Sequence, residues 1–159
     1  DLRLAMSASK PTNNHRQTVS AYLVVQDCAS AIDFYRRAFG AAEQYRLTGP
    51  GGKIGHAEIK IGESVIMLAD EHPDFGALSP RSVGGSPVKL HLAVDDADAA
   101  MARAVDAGGT QLRAVQDQFY GERTGLVADP YGYSWFLAQH IDTVSPQEMQ
   151  RRWDASSAA

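Results

Sequence analysis

The sequence predicts an α+β domain in which paired β-α-β-β-β modules form a curled eight-stranded cup with the helices outside. Three observations predict it. The 159 residues, 44% of them hydrophobic, suffice for one substantial core. Extended runs rich in β-branched residues alternate with amphipathic helical runs. The order of these runs repeats at an offset of 69 positions, so that Leu23 and Asp27 correspond to Leu92 and Asp96.

The first module begins with an extended run and continues with a helix. Asp27 is placed to cap that helix, in which Ala31, Tyr35 and Ala38 recur at helical spacing, and Gly40 stands where a left-handed terminator belongs. Glycine-containing turns then separate three further extended runs, of which the last two form a hairpin. The predicted elements are the strand 19–25, the helix 28–39 and the strands 43–47, 56–61 and 64–69.

The second module repeats this order. Gly109 takes the position of the helix terminator, and residues 129–132 form the turn before the last strand. After that strand, Ser145 begins a capping box with proline at the first helical position. The predicted strands are 111–116, 124–128 and 133–138, and a short helix covers 146–153.

The chain divides where these patterns stop. Residues 1–18 are polar and aperiodic, and we interpret them as a leader or tag. One domain spans 19–141, and residues 142–159 form a tail that carries the short helix. Within the domain, module one covers 19–70 and module two covers 88–141. The proline- and glycine-rich linker 71–87 is interpreted as a lid, as an arm that crosses to another subunit, or as a plain connection.

Charge and cysteine content exclude several classes of function. The 15 Lys and Arg against 19 Asp and Glu leave a net charge of −4, which offers no basic footprint for nucleic acid or an anionic membrane. No apolar run is long enough to span a bilayer, so we expect a cytoplasmic protein. Cys28 is the single cysteine, which excludes an internal disulfide and a thiolate-rich zinc site. We expect it to be buried at the start of the first helix.

Four phrases of the sequence resemble the vicinal oxygen chelate superfamily, which includes glyoxalase I, extradiol dioxygenases, fosfomycin resistance enzymes and bleomycin-binding proteins. The resemblance is nearest to the PhnB-like, glyoxalase/bleomycin-resistance branch. It implies the paired-module cup, a small-molecule ligand, homodimers and, for some members, antibiotic resistance, and it leaves open whether the protein is an enzyme. The phrases are YLVVQDCASAIDFYRRAFGA, GHAEIKIGESVIMLADE, HLAVDDADAAMARAVDAGG and DQFYGERTGLVADPYGYSWFLAQH.

Metal-dependent members of that superfamily hold one divalent ion with four side chains on the first and last strands of the two modules. The resemblance places those positions at Ser20, Met67, Lys89 and Phe136. A thioether, a phenyl ring and an ammonium cannot replace the imidazole and carboxylate ligands that such an ion needs. We therefore expect neither a metal nor another cofactor, provided that the strand register is correct.

An interior without metal is amphipathic and suits a flat organic ligand. Residues that share a strand face with the four positions are further candidate ligand contacts. The segment 117–123 contributes two more, Tyr120 and Arg123, and the Arg123 guanidinium could anchor an anionic or carbonyl group. In the alternative interpretation that arginine forms an ion pair with Glu122 or Asp129. Trp135 should lie on the opposite face of its strand, beneath a helix. The candidate ligand-binding residues are Ser20, Tyr22, His56, Glu58, Met67, Lys89, His91, Tyr120, Arg123 and Phe136.

The preferred function is a metal-independent protein of the glyoxalase/bleomycin-resistance type that binds a planar or amphipathic organic molecule. The alternative is a lyase, isomerase or dioxygenase with a relocated metal site built from His56, Glu58 and His91, with His140 on the same side of its strand as Phe136. Acid–base catalysis without a metal remains a third interpretation. The expected partners are the small molecule and a second copy of the chain.

Overall fold

Within the described part of the chain, two four-stranded sheets and four α-helices make up the fold. The structure, a computed structural model, describes residues 17–157, so the prediction of a leader over 1–18 lies almost entirely outside the described residues. Sheet one has the strand order β1-β4-β3-β2, and sheet two has the order β5-β8-β7-β6. The strands are β1 (Tyr22–Val25), β2 (Ala42–Thr48), β3 (Ile54–Ile61), β4 (Ser64–Asp70), β5 (Lys89–Ala93), β6 (Thr110–Asp117), β7 (Glu122–Ala128) and β8 (Ser134–His140).

Two helices connect the first two strands of the two modules, one lies in the linker, and one extends the tail. The predicted α+β class with paired β-α-β-β-β modules is confirmed, since each sheet has one parallel pair and two antiparallel pairs in the same order. Among the described residues no helix is both long enough and apolar enough to cross a membrane. The helices are α1 (Cys28–Phe39), α2 (Pro80–Val83), α3 (Ala97–Asp106) and α4 (Pro146–Ser157).

The helix caps follow the sequence closely. The Asp27 carboxylate accepts the Ser30 N–H at 3.1 Å, and Asp96 accepts the Ala99 N–H at 3.0 Å in the second module. Gly40 ends α1 with φ 69°. The matching prediction for Gly109 is wrong, because α3 ends at Asp106, three residues earlier, and Gly109 has no positive φ. A Cβ at Gly109 would lie 2.9 Å from the Ala104 carbonyl oxygen, so close backbone approach explains this glycine.

One core joins the two modules. It contains α1, α3 and the helix-bearing faces of both sheets, including Leu23 and Ile59 from sheet one and Leu137 from sheet two. The prediction for Trp135 is confirmed, since it is 2% exposed and its ring centroid lies 4.7 Å from that of Phe39 in α1. The helices therefore cover one face of each sheet, and the opposite face of each sheet, called its open face below, points away from the shared core.

Several element bounds differ from the prediction by up to four residues, and the start of β1 is one of them. β1 begins at Tyr22 and not at residue 19, because only Tyr22–Val25 pairs with β4. The linker is not featureless, since it contains α2, whose buried cap Ser79 donates its N–H to the Glu71 carboxylate at 2.6 Å. Arg81 of α2 donates to the Pro130 carbonyl, which ties the linker to the β7–β8 turn.

Candidate functional site

The open face of sheet one carries a row of side chains that crosses all four strands. Tyr22 of β1 pairs with Met67 of β4, Met67 pairs with Glu58 of β3, and Glu58 pairs with Tyr45 of β2. Paired residues on neighbouring strands point to the same face, so these four side chains form one line. His56 lies two residues before Glu58 on the same face.

Hydrogen bonds hold this row together. The Tyr22 hydroxyl lies 3.0 Å from Nδ1 of His56, and the ring centroids of Tyr22 and Tyr45 lie 5.5 Å and 5.8 Å from that of His56. The Tyr45 hydroxyl is hydrogen-bonded to Glu58. Desolvation, and then the Glu58 carboxylate, raise the pKa of Tyr45, and burial followed by Cys28 raises the pKa of Tyr22. Both phenols therefore stay protonated at neutral pH and can orient a polar ligand atom.

The open face of sheet two has a different character. Lys89 and His91 of β5 pair with Ser134 and Phe136 of β8, so all four share a face. Nε2 of His91 lies 3.3 Å from the Glu122 carboxylate on β7. The face combines an ammonium, an imidazole and a phenyl ring, which suits the apolar body of a ligand together with one anionic or carbonyl group.

Two polar groups on sheet two were not predicted. Glu122 pairs with His140 across β7 and β8, and His140 Nε2 lies 3.2 Å from the Thr143 hydroxyl. Thr124, two residues along β7 from Glu122, is 5% exposed, and its hydroxyl has no hydrogen-bond partner within residues 17–157. Strand alternation alone predicts that Glu122 and Thr124 share one face of β7. Only the pairing of β7 with β8 shows that this is the face of Phe136.

Tyr45 is the residue of sheet one that sequence reasoning missed. It is 43% exposed on the open face and contacts both His56 and Glu58. The run 43–47 alternates in a way that marks a strand, but the register that brings Tyr45 opposite Glu58 depends on an irregularity between residues 43 and 45. A one-residue error there moves Tyr45 to the helix side.

The structure does not bring Arg123 to the open face. Its side chain lies on the other face of β7 from Glu122, where Nε and Nη2 donate to Asp98 of α3 at 2.8 Å and 3.0 Å. Nη1 donates to Asp117 of β6 at 2.9 Å. The expectation that Arg123 anchors a ligand is therefore corrected, and neither predicted ion-pair partner, Glu122 nor Asp129, is the one it uses. It fastens α3 to sheet two.

Two further predicted residues lie at the margins of the faces. Ser20 precedes β1, and its hydroxyl accepts a hydrogen bond from the Gln17 side chain at 2.8 Å. Tyr120 lies in the β6–β7 turn, where its ring meets Phe119 edge-on with centroids 5.2 Å apart. Phe119 also contacts Trp153 of α4 at 5.7 Å, so the turn and the tail helix form an aromatic wall beside the Glu122 end of sheet two.

The residues at the four chelating positions do not fit a metal ion. Met67, Lys89 and Phe136 lie on the open faces, where the first offers a thioether, the second a cation and the third no donor atom. Within residues 17–157, no group of three or more His, Cys, Asp or Glu side chains is arranged to hold a metal ion. His56 with Glu58, and His91 with Glu122, lie on different sheets, so the relocated ligand set is not assembled within this part of one chain.

A groove of about 710 Å³ lies at the seam between the modules. It runs between the β3–β4 turn and the β5–α3 segment, and its lining includes Phe39, Leu92, Arg103 and Trp135. Of the predicted site residues, His91 alone borders it. The lining of this groove comes mostly from the helix-bearing faces. The polar and aromatic side chains that could orient a ligand lie on the open faces instead.

Sequence and structure comparisons agree on one family. The sequence profile of the Glyoxalase/Bleomycin resistance protein/Dioxygenase superfamily matches residues 15–137. The uncharacterized protein Rv0887c of Mycobacterium tuberculosis is 45% identical over 140 residues, which cover 86% of this chain and 82% of the relative. The crystal structure of the Arabidopsis thaliana product At5g48480 has a TM-score of 0.64 at 29% identity and covers 77% of this chain and 98% of its own.

A more distant structure shares the fold. The PhnB protein from Bacillus cereus has a TM-score of 0.58 at 17% identity, covering 77% of this chain and 99% of its own. At this identity the likeness concerns the arrangement of strands and helices alone.

Proposed function

Because the chain belongs to the Glyoxalase/Bleomycin resistance protein/Dioxygenase superfamily, we propose that it binds a planar or amphipathic organic molecule on the open faces of its sheets without a metal ion. The observation that carries the proposal is the chemistry at the four chelating positions. Met67 and Phe136 lie on these faces, where they offer apolar contact in place of metal ligands.

The rest of the two faces supports binding of an organic ligand. Tyr22 and Tyr45 supply flat apolar surface with a hydroxyl at one edge. Each can stack against a ring of the ligand and orient that ring through a hydrogen bond. Lys89 and His91 on sheet two offer donors for an oxygen of the ligand. A few polar groups in an otherwise aromatic and apolar surface are typical of small-molecule sites.

The same proposal includes a homodimer. Tyr22, Tyr45 and Leu47 on sheet one are 46%, 43% and 60% exposed, and the His91 side chain on sheet two is 53% exposed. One chain thus leaves both faces open to water, and a ligand on either would be covered on one side alone. A second copy that sets its sheet two against sheet one completes two equivalent cups by a two-fold axis.

A binding titration tests the proposal. The protein, dialysed against a chelator, is titrated with a panel of planar aromatic compounds while tyrosine and tryptophan fluorescence is followed. We expect saturable binding that Phe136→Ala weakens and that Phe75→Ala leaves unchanged, since Phe75 is 84% exposed on the linker. Binding that neither substitution changes, or that appears only after a metal ion is added, would contradict the proposal.

A metal-dependent lyase, isomerase or dioxygenase is the second candidate. It is favoured by the 3.3 Å contact between His91 and Glu122, since a histidine beside a carboxylate is a common start of a metal site. Elemental analysis of protein purified without chelator tests it. A stoichiometric metal ion that disappears in the double variant His56→Ala, His91→Ala would replace the first proposal by this one.

Assignment to the PhnB-like branch, a cytoplasmic location and a role in antibiotic resistance belong to the same proposal. The branch is supported by the sequence phrases that carry the resemblance. Resistance would follow from sequestration if the ligand is a drug, and it is tested by the change in minimum inhibitory concentration when the gene is expressed in a sensitive host. A sensitive host that stays sensitive to every compound the protein binds would refute it.

A further inference from the structure

The open face of sheet two contains a buried hydroxyl, that of Thr124. The side chain is 5% exposed, and among residues 17–157 its hydroxyl has no hydrogen-bond partner. Buried hydroxyls are normally paired, because leaving one unpaired costs the free energy of taking it out of water. A ligand that supplies the missing partner is therefore bound more tightly than a ligand of equal size that cannot.

The strand register places Thr124 beside a polar contact. Because β8 lies between β5 and β7, the contact of His91 on β5 with Glu122 on β7 crosses β8. The β8 residues that pair with His91 and with Glu122 lie two positions to either side of Ala138. Ala138 shares their face and pairs directly with Thr124. The unpaired hydroxyl thus lies next to the place where an imidazole and a carboxylate meet.

The contact between His91 and Glu122 is one that a ligand can replace. Nε2 of His91 lies 3.3 Å from the carboxylate, which is long for a hydrogen bond to a charged group. The two side chains are 53% and 30% exposed. A pair this exposed contributes little free energy. A ligand group that forms better hydrogen bonds can therefore enter between the two side chains and reach Thr124.

The chemistry of the surrounding groups selects a hydroxyl. An ionised carboxylate only accepts hydrogen bonds, so the ligand atom that faces Glu122 must donate one. The same atom gains a second bond if it also accepts from Thr124. A carbonyl or ether oxygen cannot donate, a carboxylate is repelled by Glu122, and an ammonium meets the positive charge of Lys89 on the same face. A phenolic or alcoholic hydroxyl both donates and accepts.

We propose that Thr124 and Glu122 form a subsite for a hydroxyl group of the organic ligand. That group donates its hydrogen to the Glu122 carboxylate and accepts the hydrogen of the Thr124 hydroxyl, while His91 lines the subsite. The ring that carries the hydroxyl then lies toward Phe136. This inference rests on the proposed function, since it names the polar group by which sheet two orients the ligand.

Three small probes test the subsite. Phenol, toluene and benzoate share one ring and carry a hydroxyl, a methyl and a carboxylate group. Each is titrated into the chelator-dialysed protein, and binding is followed by NMR through isotope-labelled methyl groups of Thr124 and Ala138. We expect phenol to bind more tightly than toluene, although toluene is the more apolar, and benzoate to bind least. This comparison requires no variant.

Matched substitutions locate the effect. Thr124→Val replaces the hydroxyl by a methyl group, and we expect phenol to bind about fivefold more weakly, the size of one hydrogen bond, while toluene is unaffected. The melting temperature should not fall, because the variant removes an unpaired buried hydroxyl. Glu122→Gln weakens the acceptor and should also reduce the preference for phenol. Thr110→Val, the same change at an exposed position of β6, is the control and should retain both affinities.

The outcomes separate this inference from the proposed function. If phenol binds no more tightly than toluene while both shift the Ala138 signal, sheet two binds organic ligands but the hydroxyl subsite is refuted. If Thr124→Val weakens both probes alike, its role is structural, and if it weakens neither, a buried water is the partner of the hydroxyl; either result refutes the subsite. If no probe shifts these signals while the planar panel still binds, the subsite is refuted and the proposed function stands. If nothing binds at all, the proposed function fails as well.

Discussion

Replacement of Asp129 by asparagine should destabilise the protein strongly, because this carboxylate joins the two modules. It is 5% exposed and accepts four hydrogen bonds. Oδ1 accepts the Tyr131 and Tyr133 N–H groups at 2.8 Å and 3.0 Å, and Oδ2 accepts the Tyr35 hydroxyl at 2.5 Å and Trp135 Nε1 at 3.0 Å. Burial, and then Asp129, raise the pKa of Tyr35, so this phenol remains a donor.

The cost follows from the geometry. In Asp129→Asn the amide replaces an oxygen that accepts two donors, whichever way the side chain is turned. The cheaper orientation directs the NH₂ group at Tyr35, whose hydroxyl can rotate to accept, and at Trp135, whose N–H cannot. Loss of a bond to a charged acceptor and a buried indole N–H left without a partner together cost about 2–4 kcal/mol. In a chain of this length that lowers the melting temperature by roughly 5–15 °C.

Urea unfolding followed by tryptophan fluorescence measures the change. Asp33→Asn on the exposed side of α1 is the control, since that carboxylate forms only surface ion pairs with Arg36 and Arg37, and we expect little effect. Tyr35→Phe should cost less than Asp129→Asn, since it removes a single bond. An Asp129→Asn variant as stable as Asp33→Asn would refute this account of how the modules are joined.

Three other predictions follow from contacts outside the open faces. Cys28 is fully buried, and burial followed by Asp70 raises its pKa to about 12, so a thiol reagent at pH 8 should label it only after unfolding; equal labelling rates in native and denatured protein would contradict this. Hydrogen bonds from the Ser79 and Ser82 side chains and the Ser79 backbone lower the pKa of Glu71 to about 2, so its stabilising contribution is complete above its ordinary pKa and is lost as pH falls toward 2. The difference in melting temperature between wild type and Glu71→Gln should therefore shrink between pH 5 and pH 2, as seen by calorimetry, and a difference independent of pH would refute the assignment. Arg123→Ala should leave the affinity for the planar ligands unchanged, because the Arg123 side chain forms ion pairs with Asp98 and Asp117 on the helix side. Loss of binding in a folded variant would contradict this and show that Arg123 contributes to the ligand site.

The local structure was largely predictable because its signals are local. Asp27, the helical spacing of residues 31–38 and Gly40 each act within one or two turns, and α1 has the predicted limits. Gly109 shows where the repeat misleads. A duplicated sequence position need not keep the same backbone conformation, and here the glycine is required by contact with the Ala104 carbonyl instead.

The candidate site was predictable only as far as strand alternation reaches. Alternation placed His56 with Glu58, and His91 with Lys89, since each pair shares one strand. It could not place Arg123, whose face depends on the register of β7 against β8, nor could it show that Asp98 of α3 would meet its guanidinium. Pairings between strands and contacts between a helix and a sheet are nonlocal, and a single sequence carries no measure of them.

The central claim is that the open faces bind an organic molecule without a metal ion, and native mass spectrometry tests it most directly. The protein is dialysed exhaustively against a chelator and then mixed with the compound that binds tightest in the fluorescence titration. The account predicts a dimer whose mass increases by that of the organic compound and includes no metal ion. A dimer that retains a stoichiometric ion through dialysis, or that takes up the compound only when an ion is restored, would contradict it.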